Sequence, residues 1–183
     1  MRRIAIINQK GGVGKTTTAV NLGAALARLG RRVLVIDMDP QANCSTNLGV
    51  ELRSGAPSTY TVLLGAYRVA DAVQPTKTPG LFVLPAHLDL SGAELELAGA
   101  IGRETILRDA LDDWVLEATS ADGVPPVDYV LLDNPPSLGL LSVNGLAAAD
   151  EVLIAVQTEF FALQGLSKLV EVVQILRRKL NPA

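Results

Sequence analysis

Apolar positions recur in two ways along the chain. Uninterrupted runs stand at residues 4–7, 33–36, 81–84, 129–132 and 152–156. Runs this short and continuous are what strands covered on both faces require. Between them, apolar residues return at helical spacing. Ala19, Leu22, Ala25, Leu26 and Leu29 share one face of a helix predicted over 15–29, which Gly30 stops. Ser91 and Glu94 have the spacing of a capping box that opens another helix. A further helix is predicted over 104–118 and a polar loop over 120–126. A last amphipathic helix is marked by Leu166, Leu169, Val170, Val173 and Leu176 and ends near Leu180-Asn181-Pro182. Residues 41–80 hold turn formers around short helical pieces such as 60–64. Strands alternating with helices predict an α/β fold: a doubly wound, mostly parallel sheet flanked by helices. Ligands of such sheets bind at the carboxyl ends of the strands.

The 183 residues amount to about one domain, taken as 1–183. A hydrophobic fraction of 49% supplies a sizeable core and excludes global disorder; with aromatics at 4%, that core is aliphatic. The net charge of −3 does not advertise nucleic acid, so any DNA contact has to come from a local patch. Arg31-Arg32 and Arg177-Arg178-Lys179 are such clusters, but both close helices, where cations are favoured anyway. The single cysteine, Cys44, can form neither an internal disulfide nor a C-x-x-C site, and it suits a reducing cytoplasm. No apolar run reaches the ~18 residues of a membrane span. The N-terminal run is too short for a secretory signal. The lone histidine, His87, is expected to be solvated or hydrogen-bonded rather than catalytic, and Trp114 to serve packing.

The strongest chemical signal is Lys10-Gly11-Gly12-Val13-Gly14-Lys15-Thr16-Thr17, set between the first strand and the first helix. Glycines there let backbone N–H groups turn around phosphate oxygens, and the helix directs its positive end at the same anion. Lys15 is placed for the β- and γ-phosphates, the Thr16 hydroxyl for Mg²⁺ and Thr17 for the α-phosphate region. The usual G-x-x-x-x-G-K-[ST] spacing asks for glycine where this chain has Gln9, and the loop carries an extra lysine, Lys10. Lys10 is either a solvated loop residue or meets a phosphate across a dimer interface, as an arginine finger does in trans. Spacing leaves both open.

Asp37 and Asp39 end the second strand. Phosphoryl transfer to water needs a group that positions the water and hard oxygen ligands for Mg²⁺. One of the pair is expected to face the nucleotide and the other to pack or cap. Asp133 closes the run at 129–132 in the Walker B arrangement and is expected to hold Mg²⁺ through water.

Three stretches together resemble the ParA/Soj family of partition ATPases. That family falls within the deviant Walker A class, with MinD-like and nitrogenase-iron-protein-like ATPases. The stretches are Asn8-Gln9-Lys10-Gly11-Gly12-Val13-Gly14-Lys15-Thr16-Thr17, Asp37-Met38-Asp39-Pro40-Gln41-Ala42-Asn43 and Asp133-Asn134-Pro135-Pro136-Ser137-Leu138-Gly139. The resemblance implies that Lys10 crosses a nucleotide sandwich dimer. It implies that Asp39 positions the attacking water and that Asp37 supports a Mg²⁺ shell with Thr16 and Asp133. It further implies ATP and Mg²⁺ as ligands, an ATP-dependent homodimer, non-specific DNA binding and a ParB-like partner that stimulates hydrolysis. The role implied is chromosome or plasmid partition in the cytoplasm, on the nucleoid and without a membrane. Family members continue beyond the last helix, so the resemblance implies that this domain lacks the usual C-terminal part. Asn134 stands where the family more often has a small or thiol residue. Other readings are a nucleotide-binding switch or scaffold without turnover and a MinD-like positioning ATPase, which needs a C-terminal amphipathic membrane helix. A small-molecule ligase is a third, with no use for Lys10.

Overall fold

The computed structural model describes residues 1–122, 126–158 and 162–181. In chain order these form β1 (Arg2–Ile7), α1 (Lys15–Arg28), β2 (Val33–Asp37), α2 (Asn43–Asn47), α3 (Thr59–Leu63), α4 (Val69–Ala72), β3 (Gln74–Pro75) and β4 (Leu81–Leu84). A 3-10 turn (Leu88–Gly92), α5 (Ala93–Glu96), α6 (Ile106–Asp122), β5 (Tyr129–Asp133), α7 (Leu140–Ala147), β6 (Glu151–Ile154) and α8 (Ala162–Leu180) follow. Among the described residues the strands make one six-stranded sheet ordered β3-β4-β2-β5-β1-β6. Every pairing is parallel except that of the two-residue edge strand β3. The first four apolar runs are thus largely buried strands of a mostly parallel α/β sheet, as their continuity predicts; the fifth forms β6, an edge strand among the described residues, with Val152 exposed and Leu153 and Ile154 half-buried.

Strand parity divides the core in two. Ile6, Val33, Val35, Val83 and Leu131 face α1 and α2, where Ala19, Ala27, Cys44 and Leu48 complete the smaller cluster. Ala5, Ile7, Leu34, Ile36, Val130 and Leu132 face the larger cluster, built with Val62, Leu90, Leu107, Leu111 and Leu169 from the opposite helices.

Helix α1 brings its small residues closest to the sheet; of the face expected by spacing, Ala19 is buried and Leu22 and Leu26 pack against the same cluster, while Ala25 and Leu29 do not. Its buried residues are Lys15, Ala19, Gly23 and Ala27, spaced four apart. Leu29, placed on the apolar face by spacing, is 77% exposed, and Ala25 is exposed too. Small residues win because they let the helix backbone approach the sheet. A Cβ on Gly23 would stand 3.1 Å from both Leu81 Cδ1 and Val35 Cγ2.

Other expectations shift. A short helix, α5, does begin near Ser91, but Ser91 does not cap it: it lies inside the 3-10 turn, its hydroxyl donating to Leu88 O, and Gly92 is the N-cap. The capping box is at Ser58 and Thr61, opening α3, where each side chain bonds the other's backbone N–H. The helix expected over 104–118 starts at Ile106 and runs on to Asp122, through the start of the expected loop; residues 123–125 of that loop lie outside the described set. Strand β6 is Glu151–Ile154 rather than 152–156. On α8, Leu169 is buried and Val173 and Leu176 pack against the larger core, while Val170 is 37% exposed. The helix ends at Leu180, and Pro182 lies outside the described residues. Helices α2, α3 and α4 are short pieces of the kind expected within 41–80, whereas β3, at Gln74-Pro75 among the turn formers, and helix α7 have no counterpart in the sequence pattern.

Overpacking at the α1–sheet contact is the expected weak point. Gly23→Val is expected to destabilise the fold by about 1–3 kcal/mol, read as a lower urea midpoint.

Candidate nucleotide-binding site

Parity also sets the chemistry at the carboxyl end of the sheet. Asp37 follows Val35 by two residues and Asp133 follows Leu131 by two, so both carboxylates lie on the α1 face. They are direct partners in the β2–β5 register. Asp133 is 1% exposed, and among the described residues neither of its carboxylate oxygens has a hydrogen bond of good geometry; the Thr16 hydroxyl is the donor that faces it. Burial pushes this carboxyl up to about 7; the facing Thr16 hydroxyl and Lys15 favour the ionised form, and the charges of Asp37 and Asp39 oppose it. Lys15 is 7% exposed. Burial lowers the pKa of its ammonium, against the pull of Asp133 and Asp39.

Between β1 and α1 the chain turns through residues 8–14. Gly12 (φ 74°) and Gly14 (φ 91°) lie in the left-handed region that L side chains rarely adopt. Among the described residues a Cβ on Gly11, Gly12 or Gly14 would meet no atom within 4 Å. Backbone conformation, not crowding by those residues, therefore requires glycine at 12 and 14. Helix α1 starts without a side-chain cap and without an acidic residue in its first turn. Its leading N–H groups and positive dipole end are unopposed, which is what binds phosphate.

The loop after β6 clamps this segment. Asn8 Nδ2 donates to Ala155 O at 2.6 Å, and Lys10 N donates to Asn8 Oδ1 at 2.9 Å. Gln157 Nε2 donates to Gly12 O at 3.2 Å, while its Oε1 accepts from Lys10 Nζ at 3.2 Å. Lys10 therefore folds back onto its own chain here. Lys15 Nζ sits 3.5 Å from Lys10 O. Thr16 is half-buried beside Asp133, and Thr17 is exposed.

Asp37 and Asp39 do divide, for a reason other than strand alternation, which would aim residues two apart the same way. Strand β2 ends at Asp37 and the chain then turns, with Ala42 N bonding Asp39 O at 2.9 Å. The Asp37 carboxylate is fully buried and committed. It accepts from Ser45 N at 2.8 Å, Ser45 Oγ at 2.6 Å and Asp39 N at 3.1 Å. Burial still pushes its pKa up, against those hydrogen bonds. Asp37 anchors the turn next to Asp133, whereas half-buried Asp39 accepts only from Gln41 N, at 3.0 Å, among the described residues.

Spacing gave no signal for several residues that shape the site. Ser45 also accepts from Ala86 N at 2.9 Å, tying the turn to the end of β4. Thr59 Oγ1 donates to Asp37 O at 2.8 Å. Asn134 points away from the phosphate loop: its Nδ2 donates to Leu132 O and Ile6 O, and its Oδ1 presses on Gly145 of α7. His87 pairs with Asp89 at 3.0 Å, and Cys44 is buried.

Among the described residues no group of three or more His, Cys, Asp or Glu side chains gathers as a metal cage. Thr16 and Asp133 instead suit Mg²⁺, which is bound by one or two protein oxygens together with substrate phosphates. A buried carboxylate without a hydrogen bond of good geometry, beside a lysine and an uncapped helix start, fits a Mg²⁺–nucleotide.

The chain matches the AAA domain family AAA_31 over residues 1–183. It is 53% identical to the chromosome partitioning protein ParA of Caulobacter vibrioides over 182 residues, covering 100% of this chain and 66% of that protein. The chain belongs to the ParA/Soj family of P-loop ATPases. It is 47% identical to the sporulation initiation inhibitor protein Soj of Bacillus subtilis, covering 97% of this chain and 67% of that one. It thus spans about two thirds of the length of these curated relatives. A crystal structure of cobyrinic acid a,c-diamide synthase from Mycobacterium smegmatis, with a bound ATP analogue and magnesium, superposes with a TM-score of 0.88 at 40% identity, covering 100% of this chain and 70% of that one. Nucleotide and magnesium binding therefore occur among this ParA/Soj chain's structural neighbours.

Two outcomes follow from the buried acids. The folded chain keeps a proton on Asp133 between the ordinary 3.8 and about 7, where the unfolded chain has released it. Stability of the metal-free protein is expected to fall as pH rises through that window. Asp37, shifted the same way, adds to the fall. Asp133→Asn is expected to reduce the slope and to be the more stable form at pH 8, by on the order of 1–4 kcal/mol. Urea midpoints in EDTA at pH 5 and pH 8 check this, and equal slopes would refute it. Ser45→Ala leaves Ala86 N without its acceptor and removes one donor from Asp37. A loss of about 1–3 kcal/mol is expected in the same unfolding assay.

Proposed function

We propose that this chain is the nucleotide-handling core of a partition ATPase that binds and slowly hydrolyses ATP. The observation that supports this most is the buried Asp133, without a hydrogen bond of good geometry among the described residues, beside Lys15 and Thr16 at the uncapped start of α1. Backbone N–H groups of 11–16 cradle the phosphates and Lys15 reaches the β- and γ-phosphates. Thr16 and Asp133 hold Mg²⁺, with Asp37 steadying the shell from behind through Ser45. The ion, when bound, neutralises charge that develops on the phosphate oxygens. Asp39, at the mouth of the site, orients the attacking water. Lys10 leaves Gln157 and reaches the nucleotide of a second copy, making dimerisation ATP-dependent.

Family membership supports the wider cycle: the dimer binds DNA non-specifically on the nucleoid, and a ParB-like protein stimulates hydrolysis and releases it. Among the described residues no helix is long and apolar enough to cross a membrane.

Light scattering with and without Mg-ATP tests the reading. ATP is expected to double the mass, and Lys10→Ala to hold the protein as a monomer that still binds nucleotide. Asp39→Ala is expected to bind and dimerise but to lose turnover by about 10²-fold or more. Nucleotide binding with neither a mass change nor turnover would make the chain a nucleotide-binding switch instead.

A further inference from the structure

On the sheet face opposite α1, the turn after α3 together with α4 and α6 encloses a cavity of about 390 Å³. Its floor is apolar: Val62 and Val69 are 3% and 1% exposed, and Ile106, Ala110 and Trp114 are half-buried. Its rim is ionic. Arg68 grips Asp71 through two N–H groups, at 3.0 and 3.2 Å, and extends toward Glu117 Oε2 of α6 at 3.6 Å. A third rim carboxylate, Asp113, is exposed and has no ion pair among the described residues. Two carboxylates, Asp71 and Glu117, thus share one guanidinium, and Asp113 stands beside them over an apolar floor that includes Trp114. None of these residues belongs to the nucleotide site.

The charge pattern selects the occupant. Nucleic acid and nucleotides are repelled by the carboxylates. A bare polyamine would satisfy Asp113 and leave the floor unused. A neutral apolar molecule would use the floor and ignore the rim. What uses both is a cation carried on an apolar body, and the Arg68 grip shows that this rim already accommodates a guanidinium. Tyr67, 42% exposed, adds a second aromatic side chain to the cavity lining. We propose that this cavity is a docking surface for an amphipathic, basic segment of another protein. One apolar side chain of the segment sits against Trp114, and a neighbouring Lys or Arg pairs with Asp113. Aromatic and arginine anchors at such pockets carry most of the energy of peptide recognition.

The surface shares α3 with the nucleotide end, since Val62 lies three residues after Thr59, whose hydroxyl donates to Asp37 O at 2.8 Å. The proposal itself stands independently of ATP binding.

Trp114 is the only tryptophan, so its emission reports on the cavity directly. The probe is a short helical peptide of leucine and lysine with apolar residues at i, i+3, i+4 and i+7. Added to the full chain, it is expected to give a saturable blue shift of Trp114 emission. Asp113→Lys, at an exposed position, is expected to weaken binding about tenfold or more. Glu51→Lys, the same charge change at an exposed site outside the cavity, is expected to leave affinity unchanged. The leucine–glutamate counterpart and spermine are expected to produce no shift. The proposal is overturned if the leucine–lysine peptide gives no saturable shift, or if Glu51→Lys weakens binding as much as Asp113→Lys. It is also overturned if the glutamate peptide binds equally well.

Discussion

A carboxylate held in the protein interior without a hydrogen bond of good geometry is costly, and the site is built around one. Asp133 is shielded from bulk water: it is 1% exposed at the end of the central strand β5. It cannot borrow donors from Asp37, because Asp37 is itself an acid with its oxygens occupied by Ser45 and Asp39. What faces Asp133 is Lys15 and Thr16, at a helix start that offers N–H groups and no acid of its own. Each half of that arrangement is incomplete alone: a buried anion wanting a cation, and a positive helix end wanting an anion. A phosphate with its divalent ion satisfies both, and this is the physical content of the site.

The remaining structure keeps these halves in register. The small-residue stripe Ala19–Gly23–Ala27 brings α1 close enough to the sheet for Lys15 to be buried against the strand ends. The Ser45 hub pins the turn that carries Asp39. The loop after β6 holds the phosphate loop from the other side through Asn8 and Gln157. The Gln157 bond to Lys10 means that the extra lysine has an intramolecular partner to leave before it can act elsewhere.

Two surfaces of different chemistry sit on opposite faces of the sheet. The α1 face ends in the phosphate loop. The opposite face, which carries the larger core, opens at the Trp114 cavity with its acidic rim. The short helix α3 touches both.

The sequence by itself determined the five apolar strands to within a few residues, the phosphate loop and the identity of the charged residues, but not the two-residue edge strand β3. Buried parallel strands must be continuously apolar, and left-handed turns around phosphate must be glycine; both demands are local and leave a local trace. Strand parity even placed Asp37 and Asp133 side by side once β2 and β5 are neighbours. What only the tertiary structure decided is who partners whom. That Asp37 is spent on Ser45 while Asp133 faces Thr16 and Lys15, and that Lys10 rests on Gln157, depends on contacts between segments far apart in the chain. The centre of the α1 face was set the same way: Leu22 and Leu26 pack inward as spacing suggests, but closeness to Leu81 and Val35 put Gly23 and alanines nearest the sheet and left Leu29 exposed. The capping boxes make the point again: a helix starts near both Ser91 and Ser58, but only Ser58 closes the box, because the Ser91 hydroxyl is taken by Leu88 O in the preceding 3-10 turn. Which serine caps is set by how the chain enters the helix, and that path depends on non-local packing.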